Sequence, residues 1–410
     1  MRILWVKANQ LLPVSSGGDI RSYNIARQLA AHHELTFLSY YDGEADPAYE
    51  LELKRQFPGA VCVSTGRKVR SGLGRGLDYL SRLANPAPYA VSRFASAPVQ
   101  QRVHACFQGG RFDVAVCDFL DAAVNFPRTP GVPTVLFQHN VESEIWRRHA
   151  GTTSNPVRRS MHKMEFAKML RYEQEIVRRF PHVIAVSEHD RGLMAQWVDA
   201  ARITVIPTGV DLAQYRPDSS PAPSQALAMF VGAMDWEPNI DAMEYFCHEI
   251  WPAVEARIPA ARLRIVGRNP GRRVQRLASK SVEVTGTVAS VVDHLRQAAT
   301  VIVPLRIAGG TRLKIYEAMA MGKAVVSTPV GAEGLDVHHG QDIVLADTPG
   351  TFAEAVVLFL QDEELRGRYQ RAAALLAAQY NWPAIADKFG QVLAAVAGVH
   401  PPAPRQYAQV

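Results

Sequence analysis

Cysteine is scarce in this chain. Four occur in 410 residues: Cys62, Cys106, Cys117 and Cys247. They show no C-x-x-C spacing and have no histidine pair nearby, which excludes a disulfide scaffold and the common zinc motifs. Three sit inside apolar runs and read as reduced core residues in a reducing compartment. Long hydrophobic runs are also missing. None approaches the roughly 18 apolar residues that a membrane span needs, and Lys7 follows Ile3-Leu4-Trp5-Val6 too soon for a secretory signal. The expectation is a cytoplasmic protein. A G-x-G-x-x-G fingerprint is lacking, so a Rossmann oxidoreductase is poorly supported.

Acidic residues are few where basic ones are many. The net charge is +6, and residues 1–210 hold 26 Lys/Arg against 19 Asp/Glu, while residues 211–410 hold 19 against 20. The whole excess therefore lies in the first half, concentrated from Arg67 to Arg111 and from Arg147 to Arg179. Such a face either is simply solvated or attracts anionic lipid, an acidic polymer or nucleic acid.

What is present is alternation. Short apolar runs, at Arg2–Ala8, Glu34–Tyr40, Ala60–Ser64, Phe112–Asp118, Pro133–Gln138, His182–Ser187 and Arg202–Ile206, alternate with helical patterns. The second half repeats the scheme at Leu227–Ala233, Ala261–Gly267, Val282–Gly286, Thr300–Leu305, Ala324–Thr328 and Asp342–Ala346. Continuous apolar strands suit parallel sheets covered on both faces, so the fold class is α/β, with doubly wound domains. The boundary is expected within Asp211–Gln225, where prolines fall among serines. That gives domains at 1–210 and 211–395, a last helix packing back on the first domain, and a loose Pro-rich tail at 396–410. Ligands of such sheets bind beyond the carboxyl ends of the strands.

Gly309-Gly310-Thr311-Arg312-Leu313-Lys314-Ile315-Tyr316-Glu317 follows one such strand. Glycines allow close backbone approach, Thr311 can cap a helix, and free amides there face an anion. Arg312 and Lys314 would oppose the helix dipole unless a diphosphate lies between them and it. Glu317 can accept from two vicinal hydroxyls. The alternative is an ordinary capped core helix with Glu317 paired to a nearby base.

Glu317-Ala318-Met319-Ala320-Met321-Gly322-Lys323, with Val325-Val326 and Val330-Gly331-Ala332-Glu333-Gly334, resembles glycosyltransferase family 4. Ile206-Pro207-Thr208-Gly209-Val210-Asp211, Phe230-Val231-Gly232, Leu263–Gly267, Val284–Val288 and Ala185-Val186-Ser187 continue the resemblance in order, over roughly residues 2–395. The resemblance implies a GT-B architecture, two facing Rossmann-like domains with a deep cleft. It also implies hexosyl transfer with retention from a UDP- or GDP-sugar to a glycan or lipid-linked acceptor, in bacterial cell-surface or exopolysaccharide synthesis. Two departures stand out. Gly309 replaces the first Glu of the family's Glu–seven residues–Glu pattern. The cations usual after Gly232 are missing from Ala233-Met234-Asp235-Trp236-Glu237-Pro238-Asn239. Arg312 and Lys314 are expected to replace them, with Asp235 and Asn239 facing the sugar or ordering the loop.

Gln138-His139-Asn140-Val141-Glu142 closes a strand of the first domain. By resemblance His139 takes the place beside the donor sugar, bonding a hydroxyl or orienting the acceptor; otherwise it caps a loop. Ser16-Gly17-Gly18-Asp19 opens a helix after the first strand and by resemblance reaches donor phosphates or acceptor. The expected catalytic set is His139, Arg312, Lys314 and Glu317. Donor contacts are expected from Gly17, Gly18, Gly232, Gly267, Arg268, Thr287, Val288, Gly309, Gly310, Thr311, Leu313 and Glu317, and acceptor contacts from Asp19, Asn140 and Glu142. No metal or other cofactor and no nucleic acid is expected, and His338-His339 reads as a loop. Contact with the inner, anionic membrane surface would be peripheral. Front-face transfer, with the leaving phosphate taking the acceptor proton, fits the lack of a nucleophilic carboxylate. The rivals are a nucleotide-sugar epimerase, which needs a second carboxylate beside His139, and a non-catalytic nucleotide-sugar or glycan-binding protein.

Overall fold

Thirteen strands assemble into two parallel sheets in a computed structural model of the chain, which describes residues 1–14, 16–68, 73–152, 155–217, 226–307 and 313–400. The strands are β1 (Arg2–Ala8), β2 (Glu34–Tyr41), β3 (Val61–Ser64), β4 (Val114–Asp118), β5 (Thr134–Phe137), β6 (His182–Ala185), β7 (Ile203–Val205), β8 (Leu227–Val231), β9 (Arg262–Val266), β10 (Val282–Gly286), β11 (Thr300–Val303), β12 (Ala324–Ser327) and β13 (Val344–Leu345). Every apolar run singled out above forms one. Some are shorter than the hydrophobicity implies. β4 begins only at Val114 because Asp113 turns aside to accept from the backbone and guanidinium of Arg2, at 2.7 and 2.6 Å. β13 loses its first residues to a turn in which Asp342 accepts from the His338 amide at 2.9 Å.

The described residues divide into two units, 1–207 with 382–400, and 208–381. The division thus falls between Pro207 and Thr208, and the final helix, Trp382–Ala397, belongs to the first unit.

The first sheet has the order β3-β2-β1-β4-β5-β6-β7. Its inner strands are buried on both faces, as their unbroken Val/Ile/Leu/Phe content requires, while the edge strands β3 and β7 are partly buried. Trp5 on β1 anchors one face, stacking on Phe37 and Phe389 and meeting Phe137 edge-on at 5.8 Å. Phe389 comes from the Trp382–Ala397 helix, which packs beside the Gly17–Ala30 helix. A Cβ on its Gly390 would come 3.3 Å from the tip of Leu29, so glycine there gives the two helices room to lie close. The second sheet has the order β10-β9-β8-β11-β12-β13. In each sheet the order reverses once, between β1 and β4 and between β8 and β11. Those switch points open crevices at the strands' carboxyl ends. All four cysteines are free thiols.

Candidate active site

The crevice of the first sheet is built around Asp118 and His139. β4 and β5 are parallel neighbours with Asp118 opposite Phe137, so the last residue of one ladder lies beside the loop leaving the other. Asp118 is fully buried. Its Oδ1 is 2.7 Å from His139 Nε2, and its Oδ2 accepts from Trp5 Nε1 at 2.8 Å. Lys7 Nζ lies 3.8 Å from Asp118 Oδ2 and 3.4 Å from Asp19 Oδ1. Burial opposes charge on Asp118, but Lys7 and the bond from His139 outweigh it and hold the carboxyl well below the usual range. Burial likewise lowers the His139 imidazole, more than Asp118 raises it. A neutral imidazole facing a carboxylate carries its proton on Nε2, which leaves Nδ1 as an acceptor. That Nδ1 is buried without a protein partner.

The ring is fixed between Phe137, at 4.5 Å, and Phe119, at 5.3 Å. Phe119 has φ 77° and ψ 170°, a conformation that L side chains avoid and that stores on the order of 1–3 kcal/mol. Its amide donates to the Phe137 carbonyl at 2.9 Å, one of the bonds that hold it there. A Cβ on Gly18 would lie 3.9 Å from the His139 ring, so the loop after β1 rests against the imidazole. Asp19 sits in the same loop, with its carboxylate engaged by Lys7 and by the Ser16 hydroxyl at 2.6 Å. Ser16 Oγ in turn accepts from the Asp19 amide and caps the helix.

A cluster of carboxyls lies beyond. Glu173 is fully buried and caps the Glu142–Thr152 helix. It accepts from the amides of Glu142 (2.9 Å) and Ser143 (3.0 Å), the Ser143 hydroxyl (2.6 Å) and Gln138 Nε2 (3.3 Å). Burial pushes its carboxyl up to about 7. Burial, then Asp121 and Glu173, pushes Glu142 up to about 8, and Asn140 bonds it. Burial lifts Asp121 to about 6. Arg21, also buried, bonds the carbonyls of Gln138 and Ile206 and lies 4.6 Å over Phe137, tying the loops after β5 and β7 together.

The epimerase rival needs a second carboxylate beside His139, and contrary to the expectation from sequence Asp118 is one. It is fully buried, bonded to Trp5 and His139 and paired with Lys7, so it is placed to orient the imidazole and is closed off from a sugar carbon. Lys7, Trp5, Asp118 and Glu173 were not singled out from sequence. For Lys7 and Asp118 the available signal was a charged residue inside or ending an otherwise apolar strand; Trp5, inside an apolar strand, and Glu173, inside a charged helix, carry no such signal.

The second crevice is built on glycine. A Cβ on Gly267 would lie 1.7 Å from the Gly232 carbonyl oxygen, and one on Gly232 would lie 2.7 Å from Asn239 Nδ2 and 2.8 Å from Lys314 Nζ. The loops after β8 and β9 therefore cross with no room for side chains. The loops are stitched by Gly232 N to Val266 O at 3.0 Å and Met234 N to Arg268 O at 2.9 Å. Lys314, on the helix Leu313–Ala320, donates to Asn239 Oδ1 at 3.0 Å and lies 4.3 Å over the Phe230 ring. Asn239 Nδ2 donates to Ala233 O at 2.9 Å, so Asn239 both orders the loop and holds Lys314. Asp235 accepts from Asn269 at 3.0 Å and lies 3.9 Å from Arg268. Glu317, half-buried one turn after Lys314, takes a hydrogen bond from Tyr215. Burial pushes its carboxyl up to about 7, against the Tyr215 bond and Lys314. Leu313 packs into the core, while Thr287 is exposed and Val288 half-buried beyond β10. Gly309, Gly310, Thr311 and Arg312 lie outside the described residues. No group of three or more candidate metal ligands occurs among the described residues; His338 and His339 are used locally, bonding Asp342 and the Leu345 amide.

Comparison with known proteins accords with this geometry. Residues 15–214 match Glycosyltransferase Family 4, and residues 225–362 match Glycosyl transferases group 1. A phosphatidyl-myo-inositol mannosyltransferase of Mycolicibacterium smegmatis is 26% identical over 330 residues, covering 77% of this chain and 80% of that protein. Among solved structures, Anabaena HepE in complex with UDP and glucose superposes with a TM-score of 0.69 at 17% identity, over 96% of this chain and 100% of that one. Sucrose-phosphate synthase from Thermosynechococcus elongatus gives 0.72 at 17% identity, over 95% and 98%.

Proposed function

This chain belongs to glycosyltransferase family 4, with a group 1 domain in its second half and the GT-B fold, and from that premise we propose that it transfers a hexosyl group, with retention, from a UDP- or GDP-sugar to a glycan or lipid-linked acceptor. The observation that carries the reading is Lys314, held by Asn239 and Phe230 against the side-chain-free Gly232. A diphosphate laid over Gly232 meets backbone and one ammonium, in the stretch where the usual cations are missing. Positive charge fixed at the leaving group is the largest contribution a protein makes to such a transfer. Arg312 adds to it, and the Gly309–Thr311 backbone stands in for the absent first Glu.

Glu317 as carboxylate accepts from the ribose hydroxyls. Gly267, Arg268, Thr287 and Val288 line the base. In the first unit His139 Nδ1 accepts from a sugar hydroxyl, Gly17 and Gly18 lie beside it, and Asp19, Asn140 and Glu142 serve the acceptor. The leaving phosphate oxygen takes the acceptor proton as the new bond to C1 forms on the same face. UDP in the HepE complex and the phosphatidyl-myo-inositol of the mycobacterial relative's name support a UDP donor and a lipid-borne acceptor, which fits synthesis at the inner membrane face of a bacterium. Lys314 and Arg312 make a metal unnecessary in this reading, so chelation should leave turnover unchanged.

The test is a panel of UDP- and GDP-sugars in thermal-shift titration. Saturation at 100 times Kd adds about 2.7 kcal/mol of stability. Failure of every donor to shift the transition would end the proposal, and NMR showing an inverted product would end its stereochemical part.

A further inference from the structure

The helix Leu73–Ser81 is turned the wrong way round for a surface helix. Asp78 and Tyr79 face the protein. The Asp78 carboxylate accepts from the Tyr89 hydroxyl at 3.1 Å and pairs with Arg82 at 3.3 Å, and the Tyr79 hydroxyl donates to buried Glu165 at 3.3 Å. Leu77 and Leu80 point away, 67% and 63% exposed. An amphipathic helix ordinarily buries that face. Across from it the helix Pro156–Arg179 presents Met161 and Met164, with Val157 69% exposed one turn before. Between the helices runs a groove of about 510 Å³, lined by Leu77, Leu80, Leu83, Met161, Met164 and the Tyr79 ring. Lys168 closes one end by donating to the Leu83 carbonyl at 2.6 Å.

Exposed apolar surface of this kind marks an interaction site, and its rim identifies the partner. Arg158, Lys163 and Arg171 are all exposed on the helix that forms one wall. Asp78 and Glu165, on the same two helices, are tied up inward. A second copy seated on this face would bring like charges together, since a two-fold interface sets each patch against itself. An anionic bilayer satisfies both parts of the surface. Lys and Arg meet lipid headgroups while Leu and Met enter the acyl boundary, and unbranched Met adapts to that disordered medium. No described helix is long and apolar enough to cross a membrane, so contact here is by seating.

We propose that the groove between the Leu73–Ser81 helix and the start of the Pro156–Arg179 helix seats this protein on an anionic membrane surface, with Leu77, Leu80 and Met161 inserted and Arg158, Lys163 and Arg171 on the headgroups. This rests on the reading of membrane contact given above and names the surface responsible. It is independent of the donor chemistry.

Flotation with phosphatidylcholine vesicles, with and without phosphatidylglycerol, tests it. Wild-type protein is expected to float with the anionic vesicles and not with the neutral ones. Leu77→Ser/Leu80→Ser should lose roughly tenfold or more in partitioning from the two lost side chains. Lys163→Glu/Arg171→Glu should lose a similar factor, since each cation near the surface contributes roughly fivefold. Both variants should keep the wild-type Tm and the shift produced by a donor, because the altered residues are exposed. Separately, Leu77→Trp should show a blue-shifted emission only with anionic vesicles. Wild-type protein that binds neither vesicle overturns membrane contact as a whole, and protein that binds both equally overturns the recognition of anionic headgroups by Arg158, Lys163 and Arg171. Full binding by both double variants overturns this surface alone. A wild-type dimer that the leucine variant dissociates makes the groove a protein interface and overturns the proposal.

Discussion

Replacing Lys314 by Met separates what holds the second crevice together from what it does. The substitution keeps an unbranched stem of similar length over the Phe230 ring and removes the ammonium. The bond to Asn239 Oδ1 at 3.0 Å is lost, and Asn239 is buried. An acceptor left unsatisfied there destabilises by about 1–3 kcal/mol. The cation–π contact at 4.3 Å adds about 0.5–1 kcal/mol, part of which a sulfur–aromatic contact restores. A loss near 2 kcal/mol lowers Tm by roughly 4–8 °C for a unit of this size. The effect on donor binding is separate. A charge-assisted bond to phosphate is worth about 1.5–3 kcal/mol, so Kd for a nucleotide sugar should rise roughly 10- to 150-fold. Calorimetric titration with UDP-glucose and GDP-mannose, alongside turnover, reads both. Asn239→Ala supplies the partner measurement, because it leaves the charge and frees its position; its donor affinity should fall less than that of Lys314→Met. Lys314→Met protein that binds donor and turns over like wild type would show that the ammonium does not meet the diphosphate, whatever its Tm.

Asp118→Asn removes the charge that fixes the His139 proton on Nε2. It leaves Lys7 with Asp19, 3.4 Å away, as its remaining carboxylate, so stability should fall by about 1–3 kcal/mol and kcat by roughly 100-fold or more, while KM for donor changes less. Gly267→Ala forces a methyl onto the Gly232 carbonyl at 1.7 Å, and neither backbone can yield cheaply. The loss should exceed about 3 kcal/mol in chemical denaturation, and near-wild-type stability would contradict the crossing. Folding stability should also fall as pH rises from about 5 to 8, because Glu173, Glu317 and Glu142 keep protons there that the unfolded chain releases near 4.5. His139 works in the opposite direction: below about 6.5 the unfolded chain takes up a proton that the buried imidazole refuses. Melting at constant ionic strength should show the slope, and Glu142→Gln should flatten it at its alkaline end.

The sheets were legible because their signal is local. An unbroken run such as Val301-Ile302-Val303 declares a strand covered on both faces without reference to any other segment. Two crevices followed from the same reading, since His139 and Gly232 lie just past strand ends and Lys314 begins the helix that follows β11. What stayed hidden depends on partners far apart in sequence. Asp118 looks like the tail of a strand until β4 and β5 pair in register and bring it to His139, 21 residues on. Asn239 and Lys314 are 75 residues apart, and no spacing rule links them. Tyr215 lies in a Pro/Ser-rich stretch that reads as a linker, yet it donates to Glu317. The exposure of Leu77 and Leu80 is not legible in sequence, because periodicity reports that a helix has an apolar face, not whether the fold covers it.

The path of the chain has an engineering consequence. It leaves the first unit after Pro207 and re-enters at Trp382, and the two crossing points are neighbours, with Val210 bridged to Asn381 and its amide bonded to Tyr380 O at 2.7 Å. The second unit is thus an insertion in the sequence of the first. Excising residues 208–381 and joining Pro207 to Trp382 through a linker would leave Phe389 in place over Trp5. Simple truncation after Pro207 would strip that cover and expose the indole's face to water.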